Sequence, residues 1–395
     1  MLFVKTDDLK VGMRLAKPVY NKQGVLLYER ESTLSAQAVS SIQNFGLIGL
    51  YILEPAEPAP PISEEEIEFE RFQTIYMFRL KEVLETIEQG EIPKTLNILA
   101  ETILKEFGKL NHRFPFSQNL RSGEDWNYKH SLNVAILSTM ICGQLSLNHE
   151  TCLAVVTAAL VHDLGMEHLP QEIRCKGEMA YTDADISAIE KCLQMTIEHL
   201  KVADSSGSLP ELSLRILTQT NHLFHHPRHP RQNHINWSVY SMILLVANAY
   251  DNLTAMSLSQ DPVSDISAIR YLKEYPDYYD TKVVDALTAS IRLIPVGSCV
   301  ELSNGENGLV LEDNEGDFMS PVVLQFSNNR VINLEDPAMA ARFQIVDTMK
   351  TMDNRIKIDE ESLKHFTSDA RLSAQLEKIR RQRRKPAQKK RPLLR

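Results

Sequence analysis

Three residues at two places in this 395-residue chain can do chemistry together. His130 opens one strongly apolar stretch (Leu132, Val134, Ala135, Ile136, Leu137, Met140, Ile141), and His162 and Asp163 close another, over residues 153–164. Apolar residues on nearly every helical face are the pattern of a helix buried on all sides. An imidazole and an ionised carboxylate in such a place are costly unless paired, hydrogen-bonded or bound to a metal. Adjacent helical positions point about 100° apart, so His162 and Asp163 can bracket one ion at a helix end but need a partner from another helix. His130 is the first candidate. A His…His-Asp set with neutral imidazoles suits Mn, Fe, Zn or a similar divalent ion, and the same pair can equally be a satisfied buried hydrogen bond.

The chain that must position these residues is globular in composition, with 43% hydrophobic and 24% charged residues, and long enough for two or three domains. Its formal net charge of −9 argues against a general nucleic-acid binder. Five cysteines (Cys142, Cys152, Cys175, Cys192, Cys299) fall in or near apolar patterns without C-x-x-C spacing and read as small buried hydrophobes. No signal sequence opens the chain and no apolar run reaches the length of a membrane span, so a cytoplasmic protein is expected.

Residues 1–53 read as a small α+β unit of short alternating strands around one helix capped by Ser35 and stopped at Gly46. A proline-rich linker follows at 54–63, where proline lacks a donor and restrains its neighbour. Helical patterns fill 64–290: an acidic-starting amphipathic helix from Glu64, one near Pro93, the two apolar helices, one opened by Thr182-Asp183-Ala184-Asp185, and one over 237–254. Residues 291–348 turn to β alternation with an Asn304-Gly305 turn, and 349–395 are a helical segment and a disordered basic tail. The tail is the only place where contact with nucleic acid is expected.

The segments Tyr128-Lys129-His130-Ser131-Leu132-Asn133-Val134-Ala135 and Leu160-Val161-His162-Asp163-Leu164-Gly165 resemble the HD superfamily of metal-dependent phosphohydrolases, and more closely its HD-GYP branch of cyclic di-GMP phosphodiesterases. Leu9-Lys10-Val11-Gly12-Met13 and Pro18-Val19-Tyr20 resemble the small domain often found ahead of that branch. The resemblance implies a mainly α fold, with an all-helical HD core flanked by a small N-terminal α+β domain and a small C-terminal β appendage. It implies metal ligation by His130, His162, Asp163 and His199, with His222 next, and a catalytic part for Asp163 if the site is active. The implied cofactor is a divalent metal, Mn, Fe or similar, as one ion or none.

The match decays after His199. The family's His-Pro pair is His199-Leu200 here. Its His-His-Glu triplet aligns best on Asn221-His222, or in a shifted register on His225-His226, without the Glu in either, and no Gly-Tyr-Pro follows. In Val246-Ala247-Asn248-Ala249-Tyr250-Asp251, Asn248 stands where the family has a ligating Asp. The Lys thought to meet the substrate phosphate is Met166, and the Glu that some members place before the first His is Trp126. The expectation is a degenerate member with weak or no hydrolysis that binds cyclic di-GMP or a protein such as a diguanylate cyclase domain, with a homodimer as the candidate assembly. The other reading is an active phosphohydrolase with a remodelled site.

Overall fold

The computed structural model describes residues 2–21, 25–53, 63–176, 180–205, 207–221, 237–259, 261–314 and 316–348, with a few more after 373. His222, the alternative His225-His226 register and nearly all of the basic tail lie outside the described residues.

The chain is mainly α, with strands at its two ends. It begins with β1 (Leu2–Lys5), β2 (Arg14–Leu15), β3 (Val19–Tyr20), β4 (Leu26–Tyr28), α1 (Ala36–Asn44) and β5 (Gly49–Leu53). Strand pairing gives the order β1-β5-β2, with β1 and β5 antiparallel, and β3 and β4 form a separate antiparallel ribbon. Ser35 caps α1 by accepting from the Ala38 amide at 3.1 Å, and Gly46 takes the left-handed conformation that ends it. Leu15, Val19, Leu34, Ile42 and Leu50 close a small core inside these elements.

The helices follow as α2 (Glu64–Glu88), α3 (Lys94–Phe107), α4 (Trp126–Gln144), α5 (His149–Val161), α6 (Gln171–Arg174), α7 (Asp183–Ala203), α8 (Glu211–Asn221), α9 (Val239–Thr254), α10 (Asp265–Glu274) and α11 (Thr281–Ser290). Helix α4 is buried along its length from Trp126 to Cys142 except at Lys129, as apolar residues on nearly every face imply, because α2, α3, α5, α9 and α11 all pack on it. Helix α5 starts at an Asn148 cap that accepts from the Thr151 amide at 2.9 Å, and it stops at Val161. It does not run on through Leu164. His162 ends it, Asp163 turns away, and Leu164–His168 form a 3-10 turn against α7.

The N-terminal strands and these helices, residues 1–52 and 61–293, form one compact unit. The Ile48 amide donates to the Arg121 carbonyl at 2.9 Å, and Ile48, Trp126, Cys175 and Met256 share one buried cluster. The other unit contains the antiparallel sheet β6 (Cys299–Leu302), β7 (Asn307–Glu312), β8 (Val322–Gln325), β9 (Arg330–Asn333) and, after the short α12 (Pro337–Ala340), β10 (Ile345–Thr348), in the order β10-β6-β7-β8-β9. Gly305, at φ +78°, makes the turn between β6 and β7 that its Asn-Gly sequence implies. No described helix is long and apolar enough to cross a membrane.

Candidate metal centre

His130, one turn into α4, and His162 and Asp163, at the end of α5, converge. One ligand atom from each lies within 4.8 Å of the others. His130 Nε2 is 3.5 Å from Asp163 Oδ2, and His162 Nε2 is 3.4 Å from Asp163 Oδ1. Helix α9 adds Asn248, whose Oδ1 is 2.9 Å from His130 Nε2 and 3.3 Å from His162 Nε2.

The hydrogen bonds behind the imidazoles fix which nitrogen carries the proton. His130 Nδ1 donates to Asp251 Oδ2 at 2.6 Å, and His162 Nδ1 donates to the Ala159 carbonyl at 2.8 Å. In a neutral ring each Nε2 is then a lone pair aimed at the shared centre. Burial pushes the His162 pKa down, with the nearby Asp163 carboxylate holding it up in part, so neutral is its form at neutral pH. Two imidazole lone pairs, a carboxylate and an amide oxygen thus face one another with no hydrogen between them. Separations of 2.9 to 3.5 Å match the edges of a coordination shell around an ion at about 2.1 Å, so the residues fit a divalent cation.

Asp251, one turn beyond Asn248 on α9, is fully buried and orients His130. Its Oδ1 accepts from Gln118 Nε2 (2.9 Å), Asn133 Nδ2 (3.0 Å) and Arg121 Nη2 (2.8 Å), and its Oδ2 also accepts from Arg121 Nη2 (2.7 Å). Burial alone would raise this carboxyl's pKa. The Arg121 guanidinium and the hydrogen bond from His130 outweigh it and hold the group well below the usual carboxylate range. Arg121 is itself fully buried, with its guanidinium over the Trp126 ring at 5.0 Å.

Trp126 does not offer a ligand. Its ring stacks on His130 at 5.0 Å and 25°, and its Nε1 donates to the Met256 carbonyl. Met166 is buried on the wall of a cavity of about 50 Å³ beside the centre, with Tyr181, Ile189 and Leu193. Among the described residues that line this cavity, none is Lys or Arg.

His199 is not brought to the centre. Its Nε2 sits 3.2 Å from the Glu88 carbonyl, at the end of α2, and not with the ligands that the family resemblance implied for it. The reason is helical phase: α7 buries Ile189, Cys192, Leu193, Thr196, Ile197 and Leu200, and His199 lies beside that stripe. His222 is not among the described residues. Asp251 and Arg121 were missed by sequence reasoning. For Asp251 a signal existed, since it lies three residues after Asn248 and shares its helix face. For Arg121, in an irregular loop, no local pattern existed.

Comparison with known proteins bears on this geometry. Residues 109–283 match the family model described as HD domain. A cyclic di-GMP phosphodiesterase of Pseudomonas aeruginosa, PA4108, is 24% identical over 316 residues, covering 76% of this chain and 70% of that protein. These matches support an HD domain over residues 109–283 and a relationship to cyclic di-GMP phosphodiesterases. A second relative, the cyclic di-GMP phosphodiesterase PdeB of Borreliella burgdorferi, is 25% identical over 206 residues, about half of each chain (52% and 53%). A solved structure described as an HDG"Y"P protein, Bd1817 of Bdellovibrio bacteriovorus, aligns at 13% identity and a TM-score of 0.43, covering 72% of this chain and 97% of that one. HD domains are metal-dependent phosphohydrolases, and the cluster of His130, His162 and Asp163 could hold a metal ion.

Proposed function

We propose that this chain is an HD-GYP-type protein that signals by binding or scaffolding, with weak or no hydrolysis, and that cyclic di-GMP or a protein partner such as a diguanylate cyclase domain is what it engages. The observation that carries this is Asn248. It puts a neutral amide, 2.9 and 3.3 Å from the two imidazole nitrogens, where a carboxylate would neutralise a second positive charge. Turned by half a rotation, the same amide offers one N–H to each imidazole and satisfies both without any ion. The cavity beside it supports the same reading, because Met166 and its apolar neighbours give a phosphodiester no cationic partner among the described residues.

When bound here, a single divalent ion such as Mn or Fe would polarise a phosphate oxygen and acidify a bound water. His130, His162 and Asp163 would hold it, with Asn248 as a weak fourth ligand. Asp251 fixes the His130 ring, and Trp126 shields that ring from water.

The test is cyclic di-GMP turnover by the full chain with Mn or Fe(II) supplied, against a His162→Ala/Asp163→Ala blank, with metal content measured in parallel. No turnover above the blank and less than one ion per chain are expected, with Asn248→Asp raising metal affinity about tenfold or more. Hydrolysis above the blank overturns the reading. It would favour the second one, an active phosphodiesterase, to which the four converging acceptors give support; stoichiometric metal and loss of activity in Asp163→Ala would go with it.

A further inference from the structure

The turn that carries Asp163 into the centre is held by a hydroxyl from another helix. His162 still has helical dihedrals (φ −61°, ψ −33°), and Asp163 does not (φ −101°, ψ 16°). In a helix that ran on, the Gly165 amide would donate to the Val161 carbonyl, four residues back. It donates instead to Thr196 Oγ1, on α7, at 2.7 Å. The hydroxyl proton of Thr196 goes to the Cys192 carbonyl at 3.1 Å, which leaves an oxygen lone pair for the amide. Thr196 is only 2% exposed, so water does not compete for either bond.

The approach is close. A Cβ on Gly165 would stand 2.2 Å from the Cys192 carbonyl oxygen and 2.7 Å from Thr196 Oγ1, so a residue without one is what lets this backbone reach the hydroxyl. Around the bond, Met166, Leu169, Ile189, Cys192 and Leu193 form one buried apolar cluster. Apolar packing is non-directional and presses the turn onto α7 without fixing its rotation. A hydrogen bond of 2.7 Å is directional and does fix it.

That rotation reaches the centre two residues earlier. The backbone angles of Asp163 set the direction of its Cα–Cβ bond, and its carboxylate spans both imidazoles, with Oδ1 3.4 Å from His162 Nε2 and Oδ2 3.5 Å from His130 Nε2. A small turn of the backbone would take one oxygen away from its imidazole.

We propose that Thr196 is a positioning residue for Asp163: by capturing the Gly165 amide, its hydroxyl ends α5 at His162 and aims the carboxylate between the two imidazoles. The proposal rests on the reading of His130, His162 and Asp163 as a metal centre, and it adds a residue of a third helix that holds one ligand in place without being a ligand itself.

The experiment compares Thr196→Val, which keeps the shape and removes the hydroxyl, with Thr196→Ser, which keeps the hydroxyl; Thr196→Ala replaces the first variant if that does not fold. The first readout is the ring nitrogen and proton resonances of His130 and His162 in the metal-free full chain. They are expected to move in Thr196→Val and to return to the wild-type positions in Thr196→Ser. The second is Mn(II) or Co(II) affinity by calorimetry, in the wild type and in Asn248→Asp, where Thr196→Val is expected to weaken binding about tenfold or more and Thr196→Ser to restore it. Ring resonances and metal affinity that stay at wild-type values in Thr196→Val, with only the urea midpoint lowered, overturn the proposal, since the hydroxyl would then serve stability alone. Failure of Thr196→Ser to restore the resonances overturns it as well. No metal uptake in either background overturns the metal reading instead, and the ring resonances then decide on their own whether Thr196 aims Asp163.

Discussion

Replacing Arg121 by Met tests whether the buried ion pair holds the centre together. The two side chains are close in length, so the change removes a charge and its donors with little loss of volume. In the parent, Arg121 Nη2 gives Asp251 two charge-assisted contacts of 2.8 and 2.7 Å, and both side chains are fully buried. In the variant, Asp251 keeps Gln118, Asn133 and His130 but loses the guanidinium that faces it. Leaving one buried partner uncompensated costs about 3–5 kcal/mol. Two charge-assisted bonds at about 1.5–3 kcal/mol each give the same range. For a unit of this size that is a fall in Tm of roughly 6–15 °C. Urea denaturation of the full chain, with Asp251→Asn and the double variant completing a cycle, measures it, and a coupling of about 2 kcal/mol or more is expected. The same variant frees His130 from its orienting bond, so metal affinity should fall about 10- to 100-fold. A loss below about 1 kcal/mol would mean that desolvation of the pair cancels its attraction, and the network would then not be what orients His130.

His199→Ala should leave metal content unchanged and cost about 1 kcal/mol, the value of one hydrogen bond to the Glu88 carbonyl; a fall in bound metal by elemental analysis would refute this placement. Gly165→Ala should destabilise by about 1–3 kcal/mol in denaturant, because the added Cβ would stand 2.2 Å from the Cys192 carbonyl oxygen and 2.7 Å from Thr196 Oγ1, both on α7. Asp185 should titrate near 2 by carboxyl NMR, held down by its 2.6 Å bond to Lys176 and then by the Thr182 amide and hydroxyl. A depressed folded pKa stabilises above the unfolded value of 3.8 and loses that stabilisation as pH falls towards 2. Asp185→Asn is therefore less stable than the parent at neutral pH, and the gap should close between pH of about 4 and about 2 and shrink with salt. A gap that stays constant across that window would contradict the assignment.

What the sequence made legible was whatever a local pattern could encode. The continuous apolar runs of α4 and α5 could belong only to buried helices, so the polar groups at their ends had to meet. Asn248 was legible because it is a polar residue inside the apolar run of α9, whose faces are nearly all buried. His199 was misplaced although the information to place it was present: burial at 189, 192, 193, 196, 197 and 200 sets a phase that leaves 199 to one side. Arg121 was not legible at all, because its partner Asp251 lies 130 positions away and the loop between them and α4 has no period to read.

That loop also explains why the N-terminal strands sit where they do. Residues 117–122 are irregular, and irregular backbone is held in place by hydrogen bonds from its neighbours. Ile48 N–H donates to the Arg121 carbonyl, Leu47 bridges to Ser122, and Lys17 donates to the Gln118 carbonyl. The side chains of the same two residues, Gln118 and Arg121, are those that grip Asp251. The backbone of this segment therefore answers to the N-terminal part and its side chains answer to the metal centre. A shift of the strands by a fraction of an ångström has to be taken up by the Arg121–Asp251–His130 chain, since all three side chains are buried and close-packed. The same buried side chains that orient His130 are therefore the ones through which the N-terminal part and the metal centre can be coupled.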